Sequence, residues 1–144
     1  MFSKACEYGI KAIIHISDQS RKGERSSLKA IAQAIDSPVA FTAKILQSLV
    51  NHNVIVSTKG ATGGYEIIEN KHYQVTLFDV VKAIDGDKIY NGCGLGLKQC
   101  NAQKPCPYHF QYKVIRDNLK TSLQTTTIDK LAIDLQNGLT YLKR

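Results

Sequence analysis

Three cysteines and a histidine follow one another closely in the second half of the chain. These candidate ligands are Cys93, Cys100, Cys106 and His109, and glycines and prolines separate them. Thiolates and an imidazole suit soft metals, and a backbone without a helical or strand period can bend to bring them together. The segment therefore indicates a metal-binding loop.

Three chemistries fit this ligand set. An iron-sulfur cluster is favoured, because a cluster accepts ligands at uneven spacing along a loop. A structural zinc ion also fits, since three cysteines and a histidine can close a tetrahedral site. The third alternative is a metal-free thiol switch. Cys6 stands apart on an apolar helical stripe, where we expect an ordinary core cysteine.

The composition sets broad limits. The 144 residues include 43% hydrophobic residues and no tryptophan, which allows one modest core. The net charge of +7 agrees with an anionic partner, although the charge is spread along the chain. No apolar run approaches the roughly 18 residues of a membrane span, and the N-terminus does not resemble a signal peptide. We therefore expect a cytoplasmic protein without membrane contact, in which thiols stay reduced.

Helical periodicity precedes the cysteines. Apolar residues recur at helical spacing over residues 3–17, 28–35 and 38–51, with Ser27 and Ser37 as predicted N-caps. Pro38 suits the first helical position. The last two helices, joined by a tight polar turn, predict a helix-turn-helix.

Two short strands follow, at residues 54–58 and 65–68, and the glycine-rich segment between them predicts a hairpin. A hairpin at this place is the wing of a winged helix. Thr76 and Asp79 then predict a capping box for a helix up to Ile84. A helix over residues 107–124 has two apolar stripes, which indicates contact with a second copy of the chain. Thr126 with Asp129 is predicted to cap a last helix.

The predicted fold is therefore mainly α with a small β-wing: a winged helix-turn-helix domain plus a long dimerisation helix. We divide the chain into a DNA-binding domain (residues 1–84), the cysteine loop (residues 85–106) and a segment with the dimerisation helix and the C-terminal helix (residues 107–144).

The candidate DNA contacts lie on the second helix of the helix-turn-helix and on the wing. Gln47 can pair with adenine, Lys44 with guanine or phosphate, and Ala40 and Ala43 can touch thymine methyl groups. Without an arginine on this face, we expect DNA shape to contribute to sequence preference. The complete set is Ser27, Pro38, Ala40, Thr42, Ala43, Lys44, Gln47, Lys59, Gly60, Thr62 and Gly63. A nucleophile triad, a Cys-x-x-Cys pair and a dinucleotide loop are absent from the sequence, so an enzyme is not expected.

The combined pattern resembles the winged-helix iron-sulfur transcription regulators typified by the IscR and NsrR proteins. The resemblance is carried by Glu7-Tyr8-Gly9-Ile10, by the helix that begins Pro38-Val39-Ala40-Phe41, by the wing with Gly63-Gly64-Tyr65, by Asp79-Val80-Val81, and by the three-cysteine loop. It implies a homodimer that binds a palindromic double-stranded operator, with a cluster on Cys93, Cys100 and Cys106.

The fourth ligand differs within the resembling group. The IscR type, with a 2Fe-2S cluster, uses a histidine shortly after the third cysteine, which corresponds to His109. The NsrR type, with a 4Fe-4S cluster, uses an acidic residue in the partner's first helix, which corresponds to Glu7. We favour His109 and 2Fe-2S. Ala43 stands where the IscR type has an acidic base-contacting residue, so the operator sequence is not carried over.

We expect a repressor whose operator binding responds to nitric oxide, redox state or cluster supply, because a non-cysteine fourth ligand makes a cluster more labile and redox-responsive. Two alternatives remain: a winged-helix nucleic-acid-binding protein with structural zinc, and a cluster-free regulator that works through a protein partner, as some members do.

Overall fold

The computed structural model describes residues 1–143. Within them the chain forms seven α-helices, one short 3-10 helix (Glu69–Lys71) and a two-stranded antiparallel sheet. The elements are α1 (Lys4–Arg21), α2 (Leu28–Ala34), α3 (Val39–Asn51), β1 (Val56–Thr58), β2 (Gly64–Glu66), α4 (Leu77–Asp85), α5 (Lys88–Asn91), α6 (His109–Thr125) and α7 (Ile128–Gln136).

The first helix begins where the sequence predicts and ends later. Ser3 is its N-cap, and the Ser3 hydroxyl accepts a hydrogen bond from the backbone N–H of Cys6 at 3.0 Å. The helix continues to Arg21 instead of ending at Ser17. Its last turns carry charged side chains with partners: Lys22 pairs with Asp18 at 3.0 Å, and Arg21 pairs with Asp129 of α7.

The helix-turn-helix formed by α2 and α3 is as predicted, with one difference at the start of α3. Ser27 caps α2 by accepting from the N–H of Ala30 at 3.1 Å. The predicted cap Ser37 does not cap α3, because Pro38 occupies the N-cap position. Instead, Ser37 Oγ lies 3.0 Å from Thr42 Oγ1 and joins a hydroxyl pair inside the turn.

The wing is shorter than predicted. Val56 pairs with Glu66 and Thr58 with Gly64, so each strand has only three residues. Val54 and Ile55, predicted as strand, enter the core before the hairpin begins. The backbone of Ser26 forms a further antiparallel bridge with Tyr65, which attaches the hairpin to the segment before α2.

The second half of the chain contains one helix that the sequence did not predict. The capping box of Thr76 and Asp79 is confirmed at the start of α4. The single turn α5 follows and buries Tyr90. The helix α6 begins at His109, two residues after the predicted start. The N-cap of α7 is Thr127 and not Thr126, since the Thr126 carbonyl accepts the N–H of Leu77 at 3.0 Å.

Two apolar clusters hold these elements together. The main core joins α1, α3, α4 and α7, and Ile128 of α7 lies in it fully buried. A second cluster contains Cys6, Val81, Tyr90 and Leu123, which come from α1, α4, α5 and α6. Thus α7 packs onto α1, α3 and α4, while residue 144, the last of the predicted C-terminal segment, lies outside the described residues.

None of the helices in residues 1–143 has the length and apolar character that crossing a bilayer requires.

Candidate metal loop and nucleic-acid interface

The four predicted ligands form two pairs. Cys93 Sγ lies 3.6 Å from Cys106 Sγ, and Cys100 Sγ lies 3.4 Å from His109 Nδ1. The four side chains do not converge on one point. In residues 1–143, no three His, Cys, Asp or Glu side chains form a group that could hold a metal ion. A ligand shell of this kind generally forms together with the group that it binds.

Arg116 links Cys100 to the backbone next to Cys93, and sequence reasoning missed it. Its Nη1 donates to the carbonyl of Gly92, the residue before Cys93, at 2.9 Å and to Cys100 Sγ at 3.0 Å. His109, Arg116 and Leu123 are the buried residues of α6, and they recur every seventh position, so they share one helix face. The seven-residue spacing was the available signal that Arg116 lies on the buried face of α6. It does not reveal which atoms the arginine contacts.

The donor set fits a soft metal group. His109 is 6% exposed, and its Nε2 has no hydrogen-bond partner within residues 1–143. A buried polar nitrogen without a partner is costly, so it is a candidate to bind a ligand. The three thiols are free and partly exposed, which leaves them accessible to an incoming metal.

The backbone around Cys93 favours its thiolate. The backbone N–H groups of Leu95 and Leu97 lower the pKa of Cys93 below its ordinary value. Gly96 adopts φ +74°, a left-handed conformation that lets the chain turn around the sulfur. Gly94 packs against the ring of Tyr112, because a Cβ at position 94 would lie 2.8 Å from the ring carbon Cγ. The loop is thereby seated on α6.

Cys6 has the opposite environment. Burial, followed by the nearby charge of Asp85, raises the pKa of the Cys6 thiol to about 12. The side chain is completely inaccessible, which confirms the predicted core cysteine. Cys6 is therefore not a competing metal ligand.

The alternative ligand Glu7 lies on α1. Its carboxylate pairs with Lys4, one turn before it in the helix, at 3.0 Å. The Glu7 side chain is 45% exposed, so it is accessible to another chain. Its assignment as a partner-derived ligand stays a prediction.

The candidate DNA contacts on α3 fall into an exposed set and one exception. Pro38, Ala40, Lys44 and Gln47 are exposed, and Ala43 is half-buried. Gln47 Nε2 donates to Asn51 Oδ1 at 2.9 Å, which holds its amide along the helix surface. Ala40, Lys44 and Gln47 share a side of α3 that is free to enter a groove, and Pro38 precedes them at the N-cap.

Thr42 is the exception, and its predicted DNA contact is corrected. The side chain is fully buried, and Thr42 Oγ1 lies 2.9 Å from the Pro38 carbonyl oxygen. A hydroxyl packed into the first turn of its own helix cannot reach a base edge. Ser27 also uses its hydroxyl within the protein, as the cap of α2, although the residue is exposed.

The wing tip is exposed at Lys59, Gly60 and Thr62. Gly60 has φ +103°, and a Cβ on Gly63 would lie 2.1 Å from the Thr58 carbonyl oxygen. These turns therefore require glycine, and the small residues permit close approach to phosphates.

Arg25 is a second residue that sequence reasoning missed. Arg25 Nε contacts Glu66 Oε1 at 3.0 Å, and its Nη1 donates to the carbonyl of Thr62 at 3.1 Å. Arg25 thus orients the wing relative to α2.

A two-helix recognition unit followed by a two-stranded wing defines a winged helix-turn-helix DNA-binding protein. The sequence model of the family described as "Rrf2: Iron-dependent Transcriptional regulator" matches residues 2–134. The chain belongs to the Rrf2 family of transcriptional regulators, which confirms the family resemblance and the predicted fold. It is therefore a DNA-binding regulator and not an enzyme.

The chain is also similar to one regulator in sequence, and two solved structures share its fold. The HTH-type transcriptional regulator CymR of Bacillus subtilis is 25% identical over 125 residues, covering 87% of this chain and 84% of CymR. The structure of CymR, described as the global cysteine regulator of B. subtilis, matches with a TM-score of 0.76 at 24% identity, over 92% of this chain and 96% of that one. The structure of T. potens IscR matches with a TM-score of 0.74 at 16% identity, over 97% and 91%.

Proposed function

We propose that this chain is a homodimeric repressor whose binding to a palindromic operator is controlled by an iron-sulfur cluster on the cysteine loop. The observation that supports the proposal best is the arrangement of Cys93 with Cys106 and of Cys100 with His109, next to a buried His109 Nε2 that has no partner in residues 1–143. Three thiols and one imidazole are the donors of a cluster with one non-cysteine ligand.

Cys93, Cys100, Cys106 and His109 would hold the cluster, with Glu7 of the other subunit as the alternative fourth ligand. When bound, a cluster with one non-cysteine ligand supplies a redox-active centre that responds to oxidants, nitric oxide or cluster supply. The favoured form is 2Fe-2S, and 4Fe-4S is the alternative. His109 reaches the loop from the first position of α6, so the ligand set and the start of α6 are one unit.

The loop is connected to the recognition helix through shared apolar packing. Tyr90 and Leu123, which flank the loop along the chain, pack with Cys6 and Val81. Ile10, Leu77 and Ile84 border both this cluster and the main core, which includes Ile45 and Leu46 of α3. A packed core does not deform continuously, but it can change from one packing arrangement to another. A change in the loop can therefore reorient α3 through the shared packing.

The exposed apolar face of α6 supports the homodimer. Phe110, Val114 and Ile115 are 63%, 61% and 57% exposed on this helix. Contiguous exposed apolar residues mark an interaction surface. A second α6 would cover this surface, and the two recognition helices would then read two half-sites.

Iron, zinc and acid-labile sulfide analysis on protein purified without oxygen tests the cofactor. We expect stoichiometric iron and sulfide with visible absorbance. A colourless protein with one zinc ion per chain would replace the cluster with a structural zinc site.

The short distance between Cys93 and Cys106 favours a second candidate, a cluster-free regulator that responds to thiol oxidation or works through a protein partner. This candidate predicts protein without metal whose DNA affinity changes with thiol oxidation or on addition of the partner. The metal analysis above separates it from both metal-containing forms.

A further inference from the structure

Arg116 is the most deeply buried cation near the cysteine loop. The residue is 9% exposed, on the inner face of α6. Burying a guanidinium is costly unless it gains a charged or well-oriented partner. Its nearest carboxylate is Asp117 Oδ1, 3.8 Å from Arg116 Nε and beyond hydrogen-bond distance. Arg116 and Asp117 therefore form an ion pair without a hydrogen bond.

The side-chain atom that accepts a hydrogen bond from Arg116 is a sulfur. Arg116 Nη1 donates to Cys100 Sγ at 3.0 Å, and the same nitrogen donates to the Gly92 carbonyl at 2.9 Å. A charged donor that reaches a sulfur can hold it in place, so this contact would orient Cys100 as a ligand.

We propose that Arg116 is a positioning residue that holds the Cys100 sulfur toward the metal group. The charge of Arg116 raises the reduction potential of that group. The inference rests on the cluster proposed above. A cation beside a sulfur ligand stabilises the more negative, reduced form of an iron-sulfur site, and hydrogen bonds to the sulfur act in the same direction. The effect is strong only where solvent does not screen the charge, which the burial of Arg116 provides.

Arg116 also joins the loop to the proposed dimerisation helix. Its backbone belongs to α6, whereas its two acceptors lie on either side of Cys93 along the chain. Any change in charge or position at Cys100 therefore acts directly on α6. Arg116 Nε, which has no hydrogen-bond partner in residues 1–143, remains as a further donor next to the loop.

The test is a redox titration of the cluster in the full-length wild-type protein and in three variants. Arg116→Gln removes the charge, and Arg116→Lys retains it. Lys98→Gln is the matched control, because Lys98 is an exposed cation in the same loop, two residues before Cys100. At the wild-type midpoint potential, we expect the ratio of oxidised to reduced protein to rise about tenfold in Arg116→Gln. This change corresponds to a midpoint potential that is about 59 mV lower for a one-electron couple.

In Arg116→Lys the ratio should change less than about threefold, and in Lys98→Gln it should not change, because solvent screens that charge. A midpoint in Arg116→Gln equal to that of the wild type would overturn the inference and leave the proposed function intact. Wild-type protein without iron would overturn both.

If Arg116→Gln retains no cluster, Arg116→Lys decides. Cluster loading and a midpoint like those of the wild type in Arg116→Lys support a role of the charge. Absence of the cluster from both variants, with metal-free protein that melts like the wild type, would contradict that role.

Discussion

Cys93 Sγ lies 3.6 Å from Cys106 Sγ, whereas Cys100 faces His109 and Arg116. The loop thus separates its three thiols into one adjacent pair and one thiol that contacts nitrogen atoms of His109 and Arg116. This separation predicts which disulfide forms when metal-free protein is oxidised.

When reduced, metal-free protein is treated with one equivalent of hydrogen peroxide, we expect a disulfide between Cys93 and Cys106. The two thiols lose two hydrogens, and the peroxide is reduced to two water molecules. Peptide mapping by mass spectrometry identifies the bond, and Cys100→Ser is the control that should still form it. A disulfide that includes Cys100 as the main product would contradict the observed pairing.

His109→Ala and Glu7→Ala separate the two candidate fourth ligands. Since His109 contacts Cys100 in the same chain, we expect its loss to lower cluster retention about tenfold or more, as measured by iron and sulfide content after anaerobic purification. Glu7→Ala, which breaks only a surface pair with Lys4, should retain the wild-type content. The reverse result would assign the ligand to Glu7 of the other subunit.

Lys44→Ala and Gln47→Ala test the recognition helix. Both side chains are exposed, so the thermal stability of each variant should match the wild type. Loss of the Gln47 side chain is expected to cost about 1–3 kcal/mol of binding free energy on the preferred duplex. Loss of Lys44 should lower the slope of log affinity against log salt concentration by about one. Fluorescence anisotropy measures both. Lys130→Ala removes an exposed lysine from α7 and is the control. Wild-type affinity in both α3 variants would exclude this face as the DNA interface.

Phe110→Glu combined with Val114→Glu tests the homodimer. Two carboxylates in the exposed apolar face of α6 would have to be desolvated in an interface, so we expect a monomer by sedimentation velocity. Tyr73→Glu changes an exposed aromatic residue on another surface, 74% exposed, and should not alter the oligomeric state. A double variant that sediments like the wild-type dimer would place the dimer interface elsewhere.

The parts of the fold that sequence could predict are those in which local signals agree. The α4 helix is an example, because its apolar period begins at a Thr76–Asp79 capping box that the structure contains. The recognition helix and the glycine wing follow from the same kind of local pattern. The N-cap of α7 could not be predicted in this way, since both Thr126 and Thr127 are suitable and the choice depends on a tertiary bond to Leu77.

The candidate site was predictable in its residue types but not in its arrangement. The cysteines and His109 were found from their chemistry and spacing. Arg116 was missed because its acceptors, Gly92 and Cys100, precede it by 24 and 16 residues, and no local period reports such a contact. Thr42 was wrongly included because a helical projection places it at the margin of the exposed face, while a hydroxyl contact with Ser37 turns it inward.

The control of DNA binding by the cluster is tested most directly on one duplex that the wild-type protein has selected from a random pool. The dissociation constant for this duplex is measured with anaerobic cluster-bound protein and again with the same preparation after chelation. Salt and protein concentration are held constant, because phosphate contacts make affinity strongly salt-dependent. We expect the dissociation constants to differ by about tenfold or more, which corresponds to a coupling of about 1.4 kcal/mol between the loop and the recognition helices. Equal affinities in the two forms, with the cluster confirmed in the first, would contradict control of DNA binding by the cysteine loop.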